Sequence, residues 1–435
     1  DIMKTIIKDV SILSQNHNKD FIEKGYIVIE NQNIIKVGDL KDFTEENFTD
    51  ESIEIINGKS NYLVVPGFIN AHTHIAMTLF RGYADDLPFW TWLTKKIWPQ
   101  EEKLNGEDAY WGTLLGIIEM IKTGTTTFND MYMFMDYTAK AVEESGIRGY
   151  LSRGLQGTNE ISSIGLKENI ELFKNWHNKA DGRIKVMAGP HAIYTCDPSF
   201  WQEVIALVEE TGMLIHTHLS ESREEVNNSI AQYGKTPVQH LEKLGVFNYP
   251  IVAAHGVYLS KEDMDILSKY DISIVHNPVS NLKLGNGFAP ISSLLNKGIN
   301  VALGTDGASS NNNLDLLEEM GYAALIHKGF LEDSTAVSAS KTFDMATIYG
   351  AKALKWEGIG RIEKGMKADL LMINIDDASF YPRYNLLSNL IYSSNSSRIE
   401  NVMVNGAWVM KNKELLTIDE EKVFYQVERI KRKFI

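Results

Sequence analysis

The 435-residue sequence has almost no cysteine, no long apolar run and no excess of positive charge. The single cysteine, Cys196, excludes an internal disulfide and a cysteine zinc cluster, so a metal site in this chain must use histidines and carboxylates. No apolar run approaches the ~20 residues that span a bilayer, and Lys4 and Lys8 interrupt the apolar stretches near the amino end. We therefore expect no membrane segment and a cytoplasmic location. The formal net charge of −14 repels nucleic-acid phosphates and anionic lipids, so neither is an expected partner.

The two ends of the chain show a different pattern from its middle. About sixty residues at the amino end alternate apolar and polar positions over short distances, and the stretch around Asn405-Gly406 does the same, which predicts antiparallel sheet at both ends. A final helix follows, with Thr417 and Glu420 as a predicted capping box. Its apolar face is formed by Val423, Val427, Ile430 and Phe434. Neither end has enough residues for a core of its own, so we expect the two to join in one small β-domain.

The middle of the chain contains eight short apolar runs separated by stretches of helical periodicity, a pattern typical of βα repeats and a parallel sheet. The runs are Tyr62 to Ile69, Thr125 to Asn129, Tyr150 to Leu155, Ile184 to Gly189, Met213 to Thr217, Ile251 to Ala254, Ile272 to Val275, and Asn300 to Leu303. Eight repeats predict a closed (β/α)8 barrel. We place the barrel at residues 65–358 and the β-domain at residues 1–64 plus 359–435.

Polar side chains follow directly on these runs, where the active sites of barrel enzymes lie. They are His72, His74, Asp130, Arg153, His191, His218, Glu221, His255, His276 and Asp306. With His216 included, seven of the 11 histidines stand at these ends, which scattered structural histidines would rarely do. The sequence therefore predicts a functional site at the carboxyl edge of the barrel.

The first ligand candidates are His72 and His74. They stand two residues apart on an extended segment, so both imidazoles project to the same side and can reach one ion. An isolated His-x-His is more often a pair of structural histidines, but its position after the first run favours a metal site. His218 ends the fifth run, and Glu221 follows three residues later. That spacing lets the histidine bind metal while the carboxylate faces a substrate. The alternative is that Glu221 is a solvated loop residue.

Two further candidates end later runs. His255 follows the sixth run and Asp306 follows the eighth, although Asp306 before Gly307 is also compatible with an ordinary turn. Three histidines and one aspartate leave a coordination position open, which is typical of catalytic rather than structural sites.

Several motifs occur together in one order along nearly the whole chain. They are Pro66-Gly67-Phe68-Ile69-Asn70-Ala71-His72-Thr73-His74, Trp98-Pro99-Gln100-Glu101, Ser152-Arg153-Gly154-Leu155, Gly189-Pro190-His191, His218-Leu219-Ser220-Glu221, Ser280-Asn281-Leu282-Lys283-Leu284, Gly304-Thr305-Asp306-Gly307 and Gly365-Met366-Lys367-Ala368-Asp369-Leu370. With them the chain resembles the amidohydrolase superfamily, and within it the deaminases of 5'-methylthioadenosine and S-adenosylhomocysteine.

The resemblance implies a distorted (β/α)8 TIM barrel with a small β-sandwich from the two terminal segments. It also implies hydrolytic deamination of an adenosine-type nucleoside at a site with one divalent ion, zinc or alternatively iron. The implied ligands are His72, His74, His218 and Asp306. Asp306 and His255 would accept the proton of the attacking water, and Glu221 would protonate the ring and then the departing ammonia. Glu221 must carry a proton at some stage, so we expect its pKa to be raised by partial desolvation.

The resemblance further assigns three substrate contacts. Glu101 would bind the ribose hydroxyls, His191 the purine or ribose side, and Arg153 the 5'-tail. From the residues alone, Glu101 could equally be a helix-start carboxylate, His191 a hydrogen-bonding support and Arg153 an internal ion-pair partner. His216 and His276 are expected to be structural.

One departure from the family pattern bears on the substrate. A second arginine commonly follows the Arg153 motif by about a dozen residues and binds the homocysteine carboxylate, but residues 156–167 contain none. Lys167 could substitute only in part, because an ammonium cannot make the forked contact of a guanidinium. We therefore expect 5'-methylthioadenosine, 5'-deoxyadenosine or adenosine to be favoured over S-adenosylhomocysteine.

Two other interpretations stay open at this point. One is another amidohydrolase, such as a guanine deaminase or a triazine-type chlorohydrolase, although Glu221 favours deamination and Glu101 favours a ribose-bearing substrate. The other is a catalytically inactive metal-binding scaffold. The expected partner is a small-molecule purine nucleoside, and the resemblance suggests a homo-oligomer.

Overall fold

The computed structural model describes residues 3–44, 52–157 and 162–435. The amino-terminal strands are β1 (Lys4–Leu13), β2 (Phe21–Glu30), β3 (Asn33–Asp39), β4 (Ile53–Asn57) and β5 (Tyr62–Pro66). The central strands are β6 (Phe68–Thr73), β7 (Thr125–Tyr132), β8 (Arg148–Leu155), β9 (Ile184–Pro190), β10 (Ile215–Leu219), β11 (Ile251–His255), β12 (Ile272–His276) and β13 (Asn300–Leu303). The last strands are β14 (Leu370–Asn374), β15 (Ile399–Val404), β16 (Ala407–Lys411) and β17 (Glu414–Leu415).

The eight central strands, β6 to β13, form one parallel sheet in which each strand pairs with the next in chain order. The first and last strands approach each other at their carboxyl ends, where the Asp306 N–H donates to the His72 carbonyl at 3.0 Å. Beside this contact the Asn70 and Thr305 side chains are hydrogen-bonded at 2.8 Å. The sheet is thereby a nearly closed barrel, which confirms the predicted fold class.

Helices follow most of the barrel strands and cover the outside of the sheet. Up to β10 they are α1 (Phe89–Thr91), α2 (Trp98–Glu101), α3 (Gly106–Lys122), α4 (Met135–Ser145), α5 (Ser162–Trp176), α6 (Lys179–Gly182) and α7 (Pro198–Thr211). After β10 they are α8 (Arg223–Tyr233), α9 (Pro237–Lys243), α10 (Lys261–Leu267), α11 (Pro278–Lys283), α12 (Ile291–Asn296), α13 (Leu316–Leu331), α14 (Ala339–Met345), α15 (Ile348–Leu354), α16 (Leu386–Tyr392) and α17 (Glu420–Lys431). None of the helices in the described ranges has the length and apolarity needed to cross a bilayer.

The remaining nine strands form a mixed sheet built from both ends of the chain, in the order β17-β16-β15-β14-β5-β1-β2-β3, with β4 also paired to β1. Its side chains alternate between two apolar clusters. On β5, Leu63 and Val65 join the large cluster that includes the barrel helices, whereas Val64 joins a second cluster on the opposite face. The sheet is therefore buried on both sides in this region. The predicted union of the two chain ends in one β-structure is confirmed, but the sheet is mixed rather than antiparallel, because β1 pairs in parallel with β4 and β5.

The first predicted barrel run, Tyr62 to Ile69, belongs to two sheets rather than one. Residues up to Pro66 form β5 of the mixed sheet, and the barrel begins at Phe68. Gly67 makes the crossing possible because a Cβ at this position would lie 1.9 Å from the Thr126 hydroxyl oxygen. The predicted boundary between residues 64 and 65 thus falls inside a strand, and the division of the chain into two domains remains a prediction.

The predicted capping box of the final helix is wrong. Asp419, not Thr417, is the N-cap of α17, and its carboxylate accepts from the Lys422 N–H at 3.1 Å. The Thr417 hydroxyl instead donates to the Ser145 carbonyl at 2.7 Å and ties the segment before the helix to the barrel. The predicted apolar face is nevertheless present, since Val423 and Ile430 are buried.

A buried ion pair joins the barrel to the mixed sheet. Arg148, at the start of β8, donates from Nε to Oδ2 of Asp369 at 2.5 Å, and the two side chains are only 2% and 3% exposed. The same guanidinium donates to the Asn405 side chain at 2.7 Å, and the Asn405 N–H donates to Asp369 at 2.7 Å. This pairing gives Asp369, in the motif from Gly365 to Leu370, a structural role. If either side chain of the pair were removed, the remaining charge would be buried without access to water.

Replacing Asp369 with alanine is expected to lower the free energy of unfolding by about 3–5 kcal/mol, because the Arg148 charge stays buried without its carboxylate. Restoring an apolar pair with Arg148→Met and Asp369→Leu should recover much of that loss. Denaturant titration measures both effects. The control is Asp271→Asn, which removes an exposed partner of Lys355 and should change stability by less than about 1 kcal/mol. Equal losses at both sites would contradict the assignment.

Candidate metal centre and active site

Five side chains from the carboxyl ends of four barrel strands meet in one cluster, in which all but the partly buried His74 are buried. They are His72, His74, His218, His255 and Asp306. Oδ1 of Asp306 lies 3.3 Å from Nε2 of both His72 and His74. Nε2 of His74 lies 3.2 Å from Nε2 of His218. The structure therefore brings all four predicted metal ligands together, with His255 beside them.

Main-chain carbonyls determine which nitrogen carries the proton in two of these rings. Nδ1 of His74 lies 2.6 Å from the Met131 oxygen, and Nδ1 of His218 lies 2.7 Å from the His191 oxygen. Because a carbonyl oxygen only accepts, both Nδ1 atoms are protonated and both Nε2 atoms carry lone pairs. Two lone pairs then face each other across 3.2 Å, close to a carboxylate. This arrangement is repulsive until a cation lies between the atoms, so the residues present fit a divalent metal ion.

Burial favours the neutral form of His72 and His218, which is the form that binds metal. Desolvation lowers the pKa of His72 to about 4 and that of His218 well below its usual value. His72 is completely buried, and its Nε2 has no hydrogen-bond partner among the described residues. A metal ion would satisfy that nitrogen.

Asp306 is oriented by two serines and by its own turn. Its Oδ2 accepts from the hydroxyls of Ser280 at 2.7 Å and Ser310 at 3.1 Å, and its Oδ1 accepts from the Gly307 N–H at 2.9 Å. The backbone of Asp306 is left-handed, with φ of 62°. Such strain in a non-glycine residue persists only where the surroundings hold it, here through the hydrogen bond to the His72 carbonyl.

Glu221 and His255 lie side by side next to the ligand cluster. Oε1 of Glu221 is 3.5 Å from Nε2 of His255, which is 3.7 Å from Oδ2 of Asp306. Nδ1 of His255 donates to the Asn281 side-chain oxygen at 2.9 Å, so Nε2 presents a lone pair to both carboxylates. Burial, and next the Asp306 charge, raise the pKa of Glu221 well above its usual value, as predicted from its proton-transfer role. Burial thus disfavours the charged form of the Glu221 carboxyl group.

Glu225 supports Glu221 from one helical turn away. Its Oε2 accepts from the Glu221 N–H at 3.1 Å, and its own N–H donates to the Ser222 hydroxyl that caps α8. Burial and the Glu221 charge raise the pKa of Glu225 to about 8. Glu225 was not among the residues predicted from the sequence. The sequence feature that could have indicated this role is its position four residues after Glu221, in the first turn of α8.

A cavity of about 420 Å³ opens in front of this cluster. The three predicted substrate contacts, Glu101, Arg153 and His191, all line it together with His74, Glu221 and Asp306. Glu101 accepts from the Tyr132 hydroxyl at 3.0 Å, and burial raises its pKa to about 7. Tyr132 was not predicted, because nothing in its position on β7 indicates that it reaches a carboxylate on α2. Aromatic and aliphatic side chains supply the rest of the wall, including Phe89, Trp92, Leu93 and Trp98.

Arg153 does not stand free in the cavity. Its Nε donates to Oε2 of Glu168 on α5 at 2.8 Å, and its guanidinium also donates to the Gly154 carbonyl. Arg153 is the only lysine or arginine among the described residues that line the cavity. Lys167 is 77% exposed, lies 3.9 Å from Glu171 and is absent from the described cavity wall.

The two histidines expected to be structural make contact with other histidines. His276 lies 2.8 Å from His327, Nε2 to Nε2, and its side chain has no hydrogen bond to a candidate ligand among the described residues. His216 is also fully buried, but its Nε2 lies 2.8 Å from Nδ1 of the candidate ligand His72.

A parallel α/β barrel with imidazoles and carboxylates gathered around an open cavity at its carboxyl edge is typical of metal-dependent hydrolases. The comparison with known families agrees with this class. The chain belongs to the amidohydrolase family, whose family model matches residues 63–409. This family is metal-dependent, and the chain has the candidate site for an ion.

Known proteins resemble this chain in sequence and in fold. A 5-methylthioadenosine/S-adenosylhomocysteine deaminase of Thermoanaerobacter pseudethanolicus is 49% identical over 98% of each chain. The crystal structure of an adenosine deaminase from Xanthomonas campestris with bound zinc has a TM-score of 0.93 at 31% identity, covering 99% of this chain and 98% of that one. The crystal structure of a guanine deaminase from C. acetobutylicum has a TM-score of 0.81 at 24% identity, and the alignment covers 94% of this chain and all of that one. At this identity the comparison shows a shared fold only.

We expect Asp306→Asn to remove most of the affinity for zinc. In the wild type, zinc at one hundred times its Kd should stabilise the fold by about 2.7 kcal/mol, and a chelator should abolish this gain. Thermal unfolding with and without zinc measures the effect. The matched control is Asp130→Asn, since Oδ1 of Asp130 accepts from Thr73 and Ile75 and an asparagine oxygen can do the same. A zinc-dependent shift that persists in Asp306→Asn would disprove the ligand assignment.

Proposed function

We propose that this chain hydrolyses the exocyclic amine of a 5'-substituted adenosine, releasing ammonia and the inosine derivative. Its relatives at 43–49% identity are named for 5'-methylthioadenosine and S-adenosylhomocysteine. The observation that carries the proposal is the buried carboxyl group of Glu221, placed beside His255 and Asp306 at the wall of a cavity that also contains Glu101. Proton delivery to a ring nitrogen requires such a group at this place.

The proposed ligands are His72, His74, His218 and Asp306, and the proposed ion is a single zinc. A bound divalent ion supplies Lewis acidity and lowers the pKa of water to about 7. The exclusively nitrogen and oxygen donor set suits zinc, and the bound zinc of the Xanthomonas campestris relative supports the same choice.

The protein groups then move the protons of the reaction. Asp306 Oδ2 and His255 Nε2 lie 3.7 Å apart and accept the proton of the water that attacks the amine-bearing carbon. Glu221 delivers its proton to the adjacent ring nitrogen, which allows the carbon to take up the oxygen. Glu221, now a carboxylate, takes the hydrogen that remains on the new oxygen and passes it to the amine; the carbon–nitrogen bond breaks, ammonia leaves with the bonding electrons, and the oxygen becomes the carbonyl of the product. The proton held by Asp306 and His255 then returns to Glu221, whose Oε1 lies 3.5 Å from Nε2 of His255. The Asn281 hydrogen bond keeps the lone pair of His255 facing these groups.

The other end of the cavity binds the sugar and its tail in this proposal. Glu101 accepts hydrogen bonds from the ribose hydroxyls, helped by the Tyr132 hydroxyl that orients one of its oxygens. His191 contacts the purine or ribose, and Arg153 faces the 5'-substituent. A free base such as guanine has no ribose for Glu101 to bind, which favours the nucleoside over the free-base interpretation.

The wild type with zinc should convert 5'-methylthioadenosine with loss of the adenine absorbance. Glu221→Gln should bind zinc normally but lose about 10²–10⁴-fold in kcat, because a glutamine cannot deliver the proton. The control is Glu224→Gln, a change to an exposed neighbour that should leave the rate unaltered. Full turnover by zinc-loaded Glu221→Gln would refute its proton-transfer role.

Turnover of guanine or a triazine alone would favour the other amidohydrolase activities, and no turnover of any substrate would favour a scaffold.

The Arg153–Glu168 pair predicts the preference between substrates. The carboxylate of S-adenosylhomocysteine must compete with Glu168 for the guanidinium, whereas the methyl tail of 5'-methylthioadenosine does not. Glu168→Gln should therefore raise kcat/KM for S-adenosylhomocysteine relative to 5'-methylthioadenosine by roughly two- to fivefold, as expected for a partly exposed pair. Glu171→Gln, on the same helix beside Lys167, is the matched control. An unchanged ratio in Glu168→Gln would show that Glu168 does not influence the choice.

A further inference from the structure

The three candidate imidazole ligands are oriented in two different ways. His74 and His218 donate from Nδ1 to main-chain carbonyls, which no side-chain substitution removes. Nδ1 of His72 instead lies 2.8 Å from Nε2 of His216, and the planes of the two rings are perpendicular. Among the three, His72 therefore depends on another side chain for its orientation.

A serine determines the direction of the hydrogen bonds behind His72. The Ser152 hydroxyl donates its one hydrogen to the Asp130 carbonyl at 2.8 Å. Its oxygen can then only accept from Nδ1 of His216, 3.5 Å away. A neutral histidine with its proton on Nδ1 has a lone pair on Nε2, and this lone pair accepts the Nδ1 proton of His72. Nε2 of His72 is left with a lone pair directed at Asp306, on the side of the other ligands.

Burial makes this arrangement strict. Ser152, His216 and His72 are all 0% exposed, so water cannot replace a missing partner at the surface of the protein. If His72 held its proton on Nε2 instead, that hydrogen would point into the ligand cluster. The position of the proton on His72 thus decides whether this imidazole can bind an ion.

We propose that His216 is a positioning residue that holds His72 in the metal-binding tautomer, and that Ser152 holds His216 in turn. The inference rests on the ligand set of the proposed function but not on the reaction, because its readout is metal affinity. Strand β10 then supplies two imidazoles with different tasks: His218 binds the ion, and His216, two residues earlier, orients a ligand on β6.

The test compares two substitutions of His216 in the metal-free full chain, with zinc affinity measured by competition against a chromogenic chelator. His216→Leu removes the acceptor and should weaken zinc binding about 10–100-fold. His216→Gln provides an oxygen acceptor at a similar distance along the side chain and should retain most of the affinity. The control is His276→Leu on β12. His276 is a buried histidine that pairs with His327 and has no hydrogen bond to a candidate ligand among the described residues, so this variant should bind zinc like the wild type.

A double-mutant cycle adds an independent measure. Ser152→Ala should weaken zinc binding in the wild-type background but have no further effect in His216→Leu, because Ser152 acts only through His216. Wild-type affinity in His216→Leu, equal losses in His216→Leu and His216→Gln, or an equal loss in His276→Leu would each overturn the proposal. If the wild type binds zinc without deaminating any nucleoside, the proposed function fails while this inference is still measured.

Discussion

The structure of the site depends on two imidazole lone pairs that face each other across 3.2 Å. His74 and His218 each give their Nδ1 proton to a main-chain carbonyl, so neither can relieve the repulsion by donating to the other. A divalent cation is the natural neighbour for such a pair next to the Asp306 carboxylate. The barrel maintains this costly arrangement because its first and last strands meet there, through the hydrogen bond between the Asp306 N–H and the His72 carbonyl.

In the proposed function, the groups around this centre that transfer protons are separate from those that recognise the substrate. Residues behind the candidate ligands hold the proposed proton-transfer groups by hydrogen bonds: Asn281 accepts from His255, and Glu225 accepts from the Glu221 N–H. The neighbouring residues of one motif, Ser280 and Asn281, thereby hold Asp306 and His255 respectively. The proposed recognition groups, Glu101, Arg153 and His191, lie on other elements of the cavity wall. Loops at the carboxyl edge of a barrel can therefore vary without disturbing the centre.

Much of the fold and of the candidate site was predictable, because strand ends in a parallel barrel meet at one edge and the polar residues that follow them can be read in order. The features that could not be predicted depend on contacts between segments that are distant in the sequence. The run from Tyr62 to Ile69 is continuously apolar, and nothing in it indicates that the chain changes sheets at Gly67. The role of Tyr132 depends on a carboxylate from α2, and Thr417 contacts the barrel instead of capping the last helix, because a tertiary hydrogen bond replaced the local one.

Anomalous diffraction at the zinc edge, from crystals of the zinc-loaded protein, shows directly which side chains hold the ion. We expect one ion per chain, about 2.0–2.1 Å from Nε2 of His72, His74 and His218, with an Asp306 oxygen completing the protein ligands. Coordination through Nδ1 of any of these histidines, a second ion in the cavity, or zinc bound away from the cluster would contradict this expectation.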